Sequence, residues 1–277
     1  MKVLILGAKG SLGQTFLDIY KDQEVTGWDR AELDITDGPA VSQKISELKP
    51  DLVINCAAYN AVDKAEEERQ IAEQVNGSAV GNIAKAVVSI GAVVVHYSTG
   101  QVFDGSKSEG YNEDGQANPI NAYGKSKLAG EMELRGNMEN FYLIRTCWLY
   151  GKTAAGKKSF PDMILELAGK SETIKAVNAE FGNPTYVVDL AQATKALVEQ
   201  KKPYGIYHLV NSGMASRYDW AKEVFMIKRI EARLKPVDSN FFARRAERPK
   251  YEVLNNTKFI QLRPWTEALR EYLIPND

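Results

Sequence analysis

Lys2-Val3-Leu4-Ile5-Leu6-Gly7-Ala8-Lys9-Gly10-Ser11-Leu12-Gly13 is the stretch around which the rest of the sequence is organised. An apolar run breaks into three glycines spaced three apart, then gives way to Leu12, Phe16, Leu17 and Tyr20 at helical spacing. This predicts a buried strand feeding a helix. Gly7 permits the sharp turn, Gly10 lets the backbone approach a pyrophosphate, and Gly13 allows close helix packing, so the free amides of the helix N-terminus face an anion. A dinucleotide site built on Gly7, Lys9, Gly10, Ser11, Leu12 and Gly13 is expected. The following strand, Val25 to Trp28, ends in Asp29, whose carboxylate can accept both ribose hydroxyls and would favour a cofactor with no 2′-phosphate. Arg30 beside it and Lys9 in the loop could instead meet that phosphate with positive charge, or be plain solvated cations. Both NADPH and NADH stay open as cofactors.

A chain of 277 residues can hold one large α/β domain, or a nucleotide domain with a smaller lobe attached. Its 35 Lys and Arg against 36 Asp and Glu give no electrostatic reason to expect nucleic acid as a partner. Cys56 and Cys147 show neither the density of a disulfide scaffold nor a Cys-x-x-Cys spacing, and both follow strand-like runs. Small buried thiols in a reducing compartment are the expectation. The first residues lack the shape of a signal peptide, and no apolar run approaches the roughly eighteen residues that span a bilayer. A cytoplasmic protein without a membrane partner is expected. No cluster has ligand spacing, so no metal site is expected.

Further along, Leu33-Asp34-Ile35 reads as a short extended piece, and Asp37-Gly38-Pro39 opens a helix with Val41, Ile45 and Leu48 inward. Asp51 to Tyr59 reads as a buried strand whose end, Cys56-Ala57-Ala58-Tyr59, leaves room for a ligand. Asp34, Ile35 and that end are expected to flank the adenine and the middle of the cofactor. Asp63-Lys64-Ala65-Glu66-Glu67-Glu68-Arg69 reads, by composition, as a solvated helix face or loop. Gly77 to Ile90 carries a core-facing helical stripe, and Ala92 to Ser98 is a strand that ends at Thr99 with His96 as a core residue in its middle. Strand and helix alternate throughout, which predicts an α/β, Rossmann-type, doubly wound parallel sheet. Ligands bind such sheets at the carboxyl ends of the strands, where Thr99 lies.

Asn121 to Glu131 begins a helix on which Tyr123 and Lys127, four apart, share one face. An ammonium beside a phenol favours the phenolate, so the Tyr123 pKa is expected to fall toward working pH and make it a competent acid or base. Thr99 can donate to the same oxygen. Tyr218-Asp219-Trp220-Ala221-Lys222 repeats the spacing, but only Tyr123 follows a dinucleotide fingerprint and a strand ending in Ser98-Thr99, so Tyr218 is read as packing.

Asn60 to Glu66, Ser98-Thr99 with Val102-Phe103-Asp104-Gly105, Tyr123 to Glu131, Arg145-Thr146 with Trp148 to Gly151, Gly182 to Thr185, and Arg248-Pro249 together resemble the dTDP-4-dehydrorhamnose reductase family. These segments cover nearly the whole chain in that family's order. The resemblance implies an extended short-chain reductase that uses NADPH or NADH to reduce the C4 ketone of dTDP-4-dehydro-β-L-rhamnose to dTDP-L-rhamnose. It implies Thr99, Tyr123 and Lys127 as the catalytic set, with Thr99, Val102, Tyr123, Trp148 and Arg248 meeting a dTDP-linked 4-keto-6-deoxysugar. The implied layout is a Rossmann domain, 1–150 and 186–210, interwoven with a smaller substrate lobe, 151–185 and 211–277; a homodimer is one arrangement it leaves open. Arg244, Arg245 and Arg248 cluster before Pro249, and guanidinium forks suit a nucleotide diphosphate, although a solvated basic turn reads equally well.

The chain departs from the family pattern twice. Gly100-Gln101 stands where the family has Asp-Tyr, and Glu252 stands where it has serine, so an acid is missing beside the carbonyl and another appears nearby. Gly100 and Gln101 also leave out the Asp-Glu pair that related 4,6-dehydratases need. A reductase or epimerase of another nucleotide 4-keto-6-deoxysugar, and a non-catalytic NAD(P)-binding regulatory subunit, are the alternatives; retention of Thr99, Tyr123 and Lys127 argues against the last.

Overall fold

The computed structural model describes residues 1–152 and 158–275. The opening apolar run forms β1 (Lys2–Leu6), whose Val3, Leu4, Ile5 and Leu6 are buried on both faces. Such a strand has no need to alternate polar and apolar residues. β1 lies between β2 (Glu24–Trp28) and β3 (Leu52–Asn55); β4 (Val93–Thr99), β5 (Phe141–Thr146) and the Gly205–His208 strand follow outward from β3 in one six-stranded sheet. Every pairing in it is parallel. The chain steps out from β1 to β2 on one side, then returns to β3 on the other. The crevice over the carboxyl ends of β1 and β3 is therefore the switch point of a doubly wound sheet, as expected from the alternation.

In chain order the helices are α1 (Ser11–Ile19), α2 (Gly38–Leu48), α3 (Arg69–Glu73), α4 (Ala79–Val88), α5 (Ala122–Asn137), α6 (Phe160–Ala168), α7 (Val187–Glu199), α8 (Arg217–Lys228) and α9 (Trp265–Leu273). Parallel neighbours need crossovers, and α1, α2, α4, α5 and α7 supply them on both faces. Phe16 of α1 and Leu190 and Leu197 of α7 fill one face, whereas Val41 and Ile45 of α2, Ile83 of α4 and Leu134 of α5 fill the other. Asp37 caps α2 through Ala40 N at 3.1 Å, with Pro39 in the first turn. Below the end of β4, Arg145 and Glu131 form a buried pair at 2.7 Å, joined by Ser98 Oγ at 2.5 Å, and the guanidinium lies over the Phe103 ring. This is a rigid polar floor, because every charge in it has a partner.

A third core surrounds Trp220 with Tyr150, Ile164, Ile174 and Leu269. Small sheets lie beside it: Thr173–Val177 pairs with Arg233–Val237, and Phe181–Gly182 lies between Ala215–Ser216 and Tyr251–Glu252. Between these segments the chain returns to the main sheet for α7 and Gly205–His208.

Leu33-Asp34-Ile35 lies outside the sheet, which ends at β2, and the Asp34 carboxylate is taken by Thr36 N and Oγ1 at 3.0 and 2.7 Å. One expectation needs correction. The charged stretch near 63–69 is more than a solvated face. Asp63 accepts from Arg245 N and Ala246 N, both at 3.1 Å, and pairs with Arg248 at 2.8 Å. Glu66 accepts from Ala122 N at 2.8 Å, and Glu68 from the Tyr59 hydroxyl at 2.5 Å. Composition registers the charges, but their partners lie far along the chain. Among the described residues, no helix is long and apolar enough to cross a membrane.

Candidate active site

The glycine turn has the shape of an anion cradle. Gly7 has φ +73°, and a Cβ there would lie 2.7 Å from Ala57 N; a Cβ on Gly13 would lie 2.3 Å from Gly7 O. No other residue fits either position. Gly10 is different, since its Cβ would meet only Gly7 O at 3.2 Å. As the N-cap of α1 it offers no side chain to the helix amides, so the amide-bearing end is left for a ligand oxygen. Ser11 Oγ donates to Lys152 O at 2.6 Å and ties the turn to the segment after β5. Leu12 and Ile35 are buried in the two cores that flank the sheet, so their side chains serve packing.

At the end of β2, Asp29 accepts from Arg30 N at 2.9 Å, Arg30 reaches Asp34 at 3.3 Å, and Lys9 Nζ lies 4.0 Å from Glu32. Pairs this exposed are worth little and are readily exchanged for a ligand phosphate. Cys56, Ala57, Ala58 and Tyr59 follow β3 half-buried, held by Ala57 N on Asn55 Oδ1 and Tyr59 N on Asn76 Oδ1. Asn76 lies in a π-helical turn, Gln74–Ser78, and also reaches Ser126 Oγ at 3.0 Å, joining this edge of the crevice to α5. His96 is buried with one ring nitrogen against Asn55 at 3.1 Å, a core position as its mid-strand place predicts.

Thr99 stands at the carboxyl end of β4, beside the start of α5. Asn121 caps that helix through Gly124 N at 2.7 Å, and Gly124 packs so near the Gly100–Val102 turn that a Cβ would lie 2.2 Å from Gln101 O. The first turn of α5 is thereby fixed against the end of β4. Consequently the Thr99 hydroxyl faces the Tyr123 phenol, and Lys127 Nζ donates to Tyr97 O at 2.6 Å. All three side chains are buried.

The expected drop in the Tyr123 pKa does not occur. Burial, and then the Glu252 carboxylate, push the phenol above its ordinary value, and Lys127 is not among the groups acting on it. A shared helix face brought Lys127 to the Tyr97 carbonyl instead, where burial lowers its pKa to about 8. Tyr123 therefore keeps its proton at neutral pH.

Trp148 follows β5 with φ +44°, a conformation that costs a non-glycine residue strain and that tends to persist at functional positions. Its ring is half-buried under the Arg217 guanidinium, 3.9 Å from the ring centre, and its indole N–H donates to Glu252 Oε2 at 3.0 Å. Val102 does not reach the crevice: it is wholly buried with Phe103, Tyr111 and Cys147, because the turn after Thr99 points it inward. The three arginines before Pro249 are spent inside the chain, Arg244 on Glu180, Arg245 on Glu67 and Arg248 on Asp63. A guanidinium already paired with a carboxylate meets a diphosphate less strongly.

Sequence reasoning missed Arg217, the first residue of α8, whose side chain forms no hydrogen bond or ion pair among the described residues and stacks on Trp148, Phe160 and Trp220. Its only sequence signal was the capping box Ser216-x-x-Asp219 that starts α8. Tyr218 packs against the third core, as read. Among the described residues, no three His, Cys, Asp or Glu side chains gather to hold a metal ion.

A family model described as the RmlD substrate binding domain matches residues 1–276. The chain is 37% identical over 281 residues to a dTDP-4-dehydrorhamnose reductase of Streptomyces griseus, covering 97% of this chain and 91% of the relative. It is 35% identical over 280 residues to a probable dTDP-4,6-dihydroxy-2-methyloxan-3-one 4-ketoreductase of Streptomyces antibioticus, covering 98% and 94%. The crystal structure of a dTDP-4-dehydrorhamnose reductase of Bacillus anthracis in complex with NADP matches with TM-score 0.95 and 35% identity, over 100% of both chains.

Proposed function

Because this chain belongs to the RmlD substrate binding domain family, we propose that it reduces the C4 ketone of dTDP-4-dehydro-β-L-rhamnose to dTDP-L-rhamnose with a reduced nicotinamide dinucleotide. Two observations support this reading: Thr99 faces Tyr123 where α5 packs on the end of β4, with Lys127 of the same helix on the Tyr97 carbonyl, and the glycine cradle lies at the end of β1, two strands away in the same parallel sheet. The cradle suits a dinucleotide: Gly7 and Gly13 are closed to side chains, and the α1 amides have no side-chain cap. Lys9 and Arg30 support a 2′-phosphate and hence NADPH. When bound, the nicotinamide supplies the hydride. The residues of the chain do the rest.

On substrate binding the single hydroxyl proton of Thr99, which here points to Glu252 Oε1 at 3.3 Å, turns to the C4 carbonyl oxygen and orients it. Tyr123, whose raised pKa keeps it protonated, gives its proton to that oxygen as the alkoxide forms, and the phenolate regains a proton from solvent. Lys127, anchored on the Tyr97 carbonyl, holds the nicotinamide ribose. Trp148 lines the sugar pocket, and the surroundings of Arg217, with the paired Arg248 behind it, form the approach for the nucleotide. The free thiols Cys56 and Cys147 support a reducing compartment such as the cytoplasm.

The test is NADPH oxidation with dTDP-4-dehydro-β-L-rhamnose, for the wild type and Tyr123→Phe. Turnover that falls by roughly 10²–10⁴-fold in the variant, with cofactor binding intact, is expected of a lost proton donor. The similarity to a 4-ketoreductase for another dTDP-sugar favours one second reading, the same reaction on a sister substrate. Turnover of that substrate alone would select it. An epimerase would convert the sugar without net NADPH loss, and a regulatory subunit would bind NADPH and turn over neither.

A further inference from the structure

Glu252 is a carboxylic acid, 5% exposed, that the proposed reaction does not use. Donors from three segments converge on it: Thr99 Oγ1 at 3.3 Å on Oε1, and Trp148 Nε1 at 3.0 Å and Gln101 Nε2 at 3.4 Å on Oε2. Its backbone carbonyl accepts from Cys147 Sγ at 3.1 Å. Beside it, Gly100 is outside the left-handed region, so conformational freedom does not explain the glycine. Space does: a Cβ at Gly100 would lie 2.7 Å from Glu252 Cγ and 3.3 Å from Glu252 O.

A buried carboxyl costs free energy that an apolar side chain of the same volume would not. Filling space alone is therefore a poor reason for glutamate here. Resting on the reductase reading above, we propose that Glu252 is a positioning residue of the site, holding the Thr99 hydroxyl and the Trp148 indole around Tyr123 through the space that Gly100 leaves empty. The missing acid at 100 and the extra acid at 252 are then one device, a carboxyl moved to another segment. The groups that face it are Thr99 from β4, Gln101 from the following turn, Tyr123 from α5, Cys147 and Trp148 after β5, and Arg217 from α8. Burial raises the Glu252 pKa, while Trp148, Arg217 and Thr99 pull against it.

Two measurements test this. In a double-mutant cycle on turnover, Gly100→Asp and Glu252→Ser are each expected to lower kcat by about tenfold or more. The combined variant, with the carboxyl relocated, is expected to exceed the product of the single effects by about tenfold, as coupled neighbours do. Independent, multiplying losses would overturn the proposal. The second measurement needs no substrate. The indole ¹H–¹⁵N resonance of Trp148, assigned with Trp148→Phe, is expected to report a titration raised from the ordinary glutamate value in the wild type and to lose that step in Glu252→Gln. An unchanged titration would overturn the proposal even if the single variants of the cycle fold poorly. A wild-type chain that titrates in this way yet reduces no ketosugar would refute the reductase reading and leave the Glu252 geometry standing.

Discussion

Tyr123 and Lys127 carry opposite consequences of the same burial. The phenol is pushed up and keeps its proton, which suits a group that must donate to an alkoxide. The amine is pushed down from 10.5 to about 8. A lysine whose folded pKa is depressed takes up its proton at a cost, so the unfolded chain binds more protons between the two values. The stability of the wild type relative to Lys127→Met should therefore rise with pH from about 8 towards the unfolded value, by at most a few kcal/mol. Urea unfolding of both proteins across that window checks the sign; a wild type that loses stability relative to Lys127→Met as pH rises would show that Lys127 is held charged. Binding of the dinucleotide is expected to supply partners that restore the charge, so the step should weaken when NADPH is present.

At the scale of elements, the site depends on how closely α5 lies against its neighbours. A Cβ at Gly130 would lie 2.0 Å from Asn76 O, in the π-helical turn, and Gly124 is pressed on Gln101 in the same way. Gly130→Ala must push α5 away from that turn, at a cost of about 1–3 kcal/mol typical of overpacking. Thermal unfolding should show the loss, and kcat should fall with it because Tyr123 rides on the displaced helix. An unchanged kcat would mean that the first turn is held by its caps alone, Asn121 and Glu66.

Most of these elements were legible in the sequence. β1, its glycine turn and α1 follow from apolar runs and glycine spacing, and the helix that Asp37-Gly38-Pro39 opens is α2. What was not legible came from partners distant in the chain. Val102 was drawn towards the substrate by its neighbourhood in a motif, yet the fold turns it into a core with Phe103 and Cys147. Lys127 shares a face with Tyr123 but bonds a carbonyl of β4. Gly100 and Glu252 read as two unrelated departures until the fold set them side by side, so close that a Cβ on Gly100 would lie 2.7 Å from Glu252 Cγ.

Over the whole molecule, the charged segment after β3 and the turn before Pro249 join two parts of the chain about 180 residues apart. Asp63 holds Arg248 and two backbone N–H groups, and these partners outweigh burial and lower its pKa. A depressed carboxylate adds stability that is present above its unfolded pKa and disappears as pH falls through the folded one. Asp63→Asn should therefore unfold at a lower temperature than the wild type at neutral pH, and the difference should shrink as the solution is acidified below about 4. The same variant is expected to change KM for the nucleotide sugar several-fold more than kcat, since it releases Arg248 from its partner while Tyr123 and Thr99 do not touch Asp63. Equal loss in both would place Asp63 closer to the chemistry than this account allows.

Hydride is expected to reach C4 of the sugar while Tyr123 protonates the oxygen there. Reduction of dTDP-4-dehydro-β-L-rhamnose with nicotinamide-4-deuterated NADPH, followed by NMR of the product, addresses it directly. Deuterium bonded to sugar C4, formed by the wild type and suppressed in Tyr123→Phe, is the expected result. Label at any other carbon, or the same rate of C4 labelling without the phenol, would contradict it.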